Sequence, residues 1–77
     1  MTDKEKLFKS YELLMAKSDY EGAYYATKLM WEMFKCDEAY ERIKDFRKQA
    51  IHVQGTEEYV KRSYLITARD KLRSEER

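Results

Sequence analysis

The stretch YEGAYYATKLMWEMFKC, Tyr20 to Cys36, decides the fold of this chain. Wound at 3.6 residues per turn, it carries one continuous polar stripe, Glu21, Lys28, Glu32 and Lys35, on roughly a sixth of its circumference. Ala23, Ala26, Thr27, Met30 and Phe34 make one broad face, with Tyr20, Tyr24, Trp31 and Met33 at its edges. Tyr25, Leu29 and Cys36 make a second face nearly opposite. A helix apolar most of the way round must be covered from more than one side, by its own chain or by a partner.

The sequence on either side predicts the cover. Thr2 and Glu5 have capping-box spacing, opening a helix to about Lys17 whose Leu7, Phe8, Tyr11, Leu14 and Met15 share one face. Ser18 and Glu21 repeat that spacing, with Asp19 as an alternative cap, so the chain stops and restarts there as a helical hairpin. Gly22 sits in the first turn of the central helix, where it costs least or permits close approach of helix one.

Downstream, Asp37 can cap a third helix with the stripe Ala39, Tyr40, Ile43, Phe46, Ala50 and Val53. No helix breaker stands at Cys36 and Asp37, so one long helix from about Asp19 to His52, suited to a dimer, is the competing architecture. Gly55 suits a left-handed position, and Thr56 followed by Glu57 and Glu58 suits a new N-cap. The last helix then carries Val60, Tyr64, Leu65, Ala68 and Leu72 on its main face, Tyr59 and Ile66 opposite, and frays from Ser74. With no proline and two glycines, the sequence predicts an all-α protein, a single domain over 1–77. It is a small bundle of four short helices, three if the middle two fuse.

The segment Asp19-Tyr20-Glu21-Gly22-Ala23, closing one amphipathic helix and opening another, resembles the turn of a tetratricopeptide hairpin. The likeness covers the first two helices and implies a helix-turn-helix pair. Tyr11 and Met30 stand where that family has small residues, Thr27 stands where it has an aromatic one, and no second copy of the pattern appears about 34 residues on.

Composition narrows the function. Sixteen Lys and Arg against 15 Asp and Glu give a net charge of +1, with the signs finely mixed, unlike the pronounced basic patch of a dedicated nucleic-acid binder. No stretch reaches the length and apolarity of a membrane span, and MTDKEKLFKS has no signal-peptide core, so a cytoplasmic location is expected. The single cysteine, Cys36, excludes an internal disulfide and reads as a small buried hydrophobe.

Catalytic groupings are absent from the sequence. His52 is the only histidine, neither HExxH nor CxxC occurs, and no glycine-rich loop could cradle phosphate. Glu21 and Glu32 are interleaved with Lys28 and Lys35, the pattern of a solvated salt-bridge stripe. A non-enzymatic protein without cofactor or metal is therefore expected. The seven tyrosines point to recognition of another protein through an aromatic helical face, as a small regulator, adaptor or inhibitor of bacterial or phage type. Tyr25, Leu29, Tyr59 and Ile66 lie off the principal stripes and are the expected contacts, and a homodimer would bury the same spare surface. Tyr11, Tyr24, Tyr40 and Tyr64 are expected to pack in the core. The alternative function is nucleic-acid binding through Arg42, Lys44, Arg47, Lys48, Lys61, Arg62 and Arg69, although Glu38, Glu41, Asp45, Glu57, Glu58 and Asp70 lie among them.

Overall fold

The structure, a computed structural model, describes residues 2–75 and, within them, the side chains of residues 2–68. The expected interior position of Leu72 and the Arg69 side chain fall outside that range, as do residues 76 and 77. Four helices follow one another: α1 (Asp3–Ala16), α2 (Tyr20–Phe34), α3 (Asp37–Ala50) and α4 (Glu57–Glu75). The protein is all-α, and its middle two helices are separate.

The termini of the helices explain the breaks. Thr2 Oγ1 accepts from the Glu5 amide at 3.2 Å, as the capping-box spacing predicts. At the end of α1 the Asp19 amide donates to the Leu14 carbonyl at 2.9 Å and the Ser18 amide to the Met15 carbonyl at 3.0 Å, with Ser18 at φ 60°. That is a Schellman closure, which satisfies carbonyls the helix leaves orphaned. Ser18 is thereby committed to the end of α1, and Asp19 caps α2 through Oδ1, accepting from the Gly22 amide at 3.1 Å. A Cβ at Gly22 would lie 3.0 Å from Leu14 Cδ2 and 2.9 Å from Asp19 Oδ2, so its bare backbone admits both side chains.

α2 stops at Lys35, which is left-handed at φ 43°, ψ 47°, and Cys36 follows in extended backbone as the N-cap of α3 without a side-chain cap bond. Asp37 is therefore the first residue of α3 rather than its cap, and acts with Glu38 at the positive end of the helix dipole. A lysine in this conformation bears a steric cost of about 1 kcal/mol or more. Lys35→Gly removes it against the greater freedom of glycine in the unfolded chain, and should raise stability by about 0.5–1 kcal/mol in urea denaturation. A loss of stability would show that the Lys35 side chain supports the turn.

Between α3 and α4, Gly55 has φ 92°, as expected for a left-handed glycine. Thr56 stands just before α4, as expected, and its carbonyl accepts from the Val60 amide at 3.0 Å, but its side chain bonds elsewhere. Its buried hydroxyl is the donor to the carbonyls of Ala50 and, at 2.6 Å, Val53, so it closes the end of α3 instead of accepting from an α4 amide.

α2 touches each of the other three helices, which confirms its central position. Tyr24, Met30 and Trp31 from α2 meet Phe8 and Tyr11 from α1 and Ile43 and Phe46 from α3 in one core, while Ala23, Ala26, Ala39 and Ala50 let the helices approach closely. The molecule extends 39 × 32 × 14 Å over its Cα atoms, two helices thick. α1 and α3 have the same length and start 34 residues apart, but residues 17–19 join α1 to α2 whereas residues 51–56 join α3 to α4.

No Cα of α1 comes within 8 Å of one in α3 among the described residues, and side chains span the gap. Lys4 pairs with Glu38 at 3.5 Å and Arg42 with Glu12 at 3.6 Å, both at the surface and each worth well under about 1 kcal/mol. The stronger link is internal. Tyr11, 1% exposed, donates its hydroxyl to Asp45 Oδ2 at 2.9 Å, and Gln49 donates to the same carboxylate. Burial, and then the Asp45 carboxylate, push the Tyr11 phenol far above its ordinary range.

The sign of the resulting pH dependence follows directly. Below pH 10 the phenol is protonated in both states, so it adds no slope; above pH 10 only the unfolded chain ionises, and stability falls as pH rises, by up to about 1.4 kcal/mol per unit. Tyr11→Phe should cost about 1–2 kcal/mol at pH 7 through the lost hydrogen bond and remove this alkaline component. Urea denaturation of both proteins between pH 7 and about pH 11.5 checks this. Parallel curves would show that Tyr11 ionises as easily folded as unfolded.

Candidate functional site

α2 buries Ala23, Tyr24, Ala26, Thr27, Met30 and Trp31, which between them face the other three helices. What remains outside includes the expected stripe of Glu21, Lys28, Glu32 and Lys35 and, beside it, apolar residues. Tyr25, Leu29 and Met33 are 48, 46 and 59% exposed. At intervals of four residues they form one row along the helix. The second face recognised in the sequence is thus only half covered by the chain's own packing. Cys36, its third member, is a free thiol half-buried against the core.

The N-terminal end of this row rests on an aromatic base. The buried Tyr24 ring lies 5.4 Å from the Tyr25 ring and 5.7 Å from the Tyr59 ring, and 6.3 Å from Phe46 below. Tyr24 thus joins the exposed Tyr25 of α2 to the half-buried Tyr59 of α4. Such stacking restricts side-chain motion before any partner arrives. The Tyr59 phenol is pushed up by desolvation and then by the nearby Glu21 and Tyr25. Of the four predicted contact residues, the structure therefore places Tyr25 and Tyr59 against the same Tyr24 ring, keeps Leu29 one turn along the row of Tyr25, and leaves Tyr59 and Ile66 half-buried against the core.

That last placement follows from a rotation of α4 relative to expectation. Its innermost residues are Ser63 and Thr67, flanked by Tyr59, Val60 and Ile66, while Tyr64 and Leu65 are exposed. The interior beneath α4 is already filled by large rings from α2 and α3, so small side chains fit there best. Their hydroxyls bond back to the carbonyls of Val60 and Tyr64 at 2.8 and 2.9 Å, which removes the penalty of burying them. Tyr64, predicted as core, is instead a surface residue over Arg47, whose Cζ lies 4.9 Å from its ring centroid. Met33 was missed as a contact residue, although its spacing from Tyr25 and Leu29 was visible.

Several of the described basic residues of the alternative site have acidic or aromatic neighbours. Arg42 turns toward α1, where it pairs with Glu12 and lies 5.4 Å from the Phe8 centroid. Arg47 faces α4. Lys44 is held by Glu41 at 3.2 Å and Arg62 by Glu58 at 3.3 Å. Lys48 lines a depression of about 350 Å³ on the outer side of α3 together with Glu41, Lys44 and Asp45, where the charges offset one another. Lys61 is exposed. His52 is exposed as well, and no three potential metal ligands converge among the described residues. Among those residues no helix is long and apolar enough to cross a membrane. Comparison with protein-family models, curated proteins and solved structures returns no match to this chain.

Proposed function

We propose that this chain is a non-enzymatic protein that recognises another protein through the α2 row Tyr25, Leu29 and Met33, with Tyr59 at its flank. The observation that carries this reading is the row itself: the helix every other helix packs against still leaves three large apolar side chains about half exposed. Aromatic anchors on a rigid support, surrounded by charge, are what concentrated interface energetics require. The surrounding charges, Glu21, Lys28 and Glu32, alternate in sign, which suits a protein surface better than the uniform charge of a nucleic acid or an anionic membrane. A regulator, adaptor or inhibitor acting in the cytoplasm fits a small domain of this kind with a free thiol. A second copy of the chain is the simplest partner to examine first.

Nuclease-treated affinity purification with the native mass determined alongside tests the proposal. A stoichiometric protein complex or a defined homo-oligomer that is lost on Leu29→Asp supports it. A monomer whose every partner disappears on nuclease treatment, in a strongly salt-dependent manner, would move the function to the basic residues and overturn it.

A further inference from the structure

We propose that the cleft between α3 and α4 is a socket for one acidic side chain, an Asp or Glu carboxylate of the protein partner, gripped by Arg47. This rests on the protein-recognition reading and adds to it the chemistry of the ligand. Tyr40, Arg47, Tyr64, Thr67 and Ala68 line the cleft, whose volume is about 180 Å³. That is below the roughly 300 Å³ at which small-molecule sites begin, and is of the size that accepts a single protruding side chain.

Arg47 sets the chemistry. Its guanidinium carbon lies over the Tyr64 ring, 4.9 Å from the centroid, and its Nε is enclosed with no hydrogen-bond partner. An enclosed donor left without an acceptor is costly, and native proteins rarely keep one without a reason. Lys4, Arg42, Lys44 and Arg62 each have a carboxylate within ion-pair distance, whereas no carboxylate among the described residues reaches Arg47. A guanidinium stacked on a ring keeps its in-plane N–H edges available, and the side-on fork of Nε–H with one terminal N–H matches the two oxygens of a carboxylate. Nε has no open surface as it stands, and Tyr64 over the guanidinium is itself 63% exposed, so a carboxylate reaches Nε as that surface side chain swings aside. A nucleic-acid backbone would need further cations in line, and Arg42 and Arg62 are turned or tied elsewhere.

The test follows the backbone amide resonances of residues 40, 47, 64 and 67 by NMR while the whole chain is titrated with N-acetylglutamate amide, N-acetylglutamine amide or inorganic phosphate. A saturable shift with the glutamate probe, absent with the glutamine probe and weakened about tenfold in Arg47→Lys with helicity unchanged, is the expected result. No saturable shift, or an equal one with glutamine, overturns the socket. Tighter binding of phosphate than of the glutamate probe would also overturn it, reassigning the cleft to phosphorylated ligands. Because these probes need no partner, failure here is distinct from failure of the Tyr25 and Leu29 surface.

Discussion

Replacing Phe46 by Ala is expected to move the urea midpoint of unfolding far below that of the parent chain. Phe46 is fully buried at the α2–α3 contact, with Tyr24 against its ring. Removing a buried phenyl ring costs about 3–5 kcal/mol, the lost transfer free energy plus that of the cavity left behind. A domain of 77 residues has in total roughly 4–12 kcal/mol, so the change removes a large share of the margin. The effect reaches further than one contact, because Phe46 also underlies the tyrosine base of the proposed interface. Leu65→Ala, at an exposed position of comparable hydrophobicity, should change stability by no more than about 0.5 kcal/mol. Circular dichroism with urea denaturation compares the two. Equal stability of Phe46→Ala and the parent would show that α3 does not pack on α2 as described.

Tyr25→Ala should have the opposite profile: little change in folding and a large loss of binding. Its ring is half exposed and leans on Tyr24, so truncation removes little buried area from the monomer. In a complex the same ring would be enclosed, and loss of a central aromatic anchor costs about 2 kcal/mol or more, a roughly thirtyfold weaker complex. Leu29→Ala, one turn along, should behave likewise, and the two together should lose less than the product of the separate effects if they occupy one pocket. Titration calorimetry measures the affinities and thermal melting the stabilities. Melting of the fold by Tyr25→Ala would assign that residue to the core and remove it from the interface.

Much of this architecture was legible because amphipathic periodicity is a direct record of burial. α1, the central helix and the stripe of α3 all follow from it, as does the half-covered face of Tyr25 and Leu29. The separation of α2 from α3 was not legible, since it depends on Lys35 adopting a left-handed conformation that its identity does not favour and tertiary packing must impose. Ser18 and Asp19 were both plausible caps, and the choice was made by the Schellman closure that claims Ser18. The rotation of α4 defeated periodicity for a volumetric reason. Counting apolar residues favours Tyr64 and Leu65, but the space left by Tyr24 and Phe46 admits Ser63 and Thr67. The Tyr11–Asp45 bond and the placement of Arg47 over Tyr64 join residues of different helices, and a pattern read along one helix contains no term for either.

The claim on which the rest depends is that the open row of α2 touches another protein. Benzoylphenylalanine placed at Tyr25 and irradiated in the native cell tests it most directly, with the same photoreactive residue at the exposed Lys48 of α3 as the comparison. The account predicts one discrete covalent protein adduct, or a covalent homodimer, from position 25 and none from position 48. Adducts from position 48 alone, or none from position 25 beside a demonstrable complex, would place the interface elsewhere.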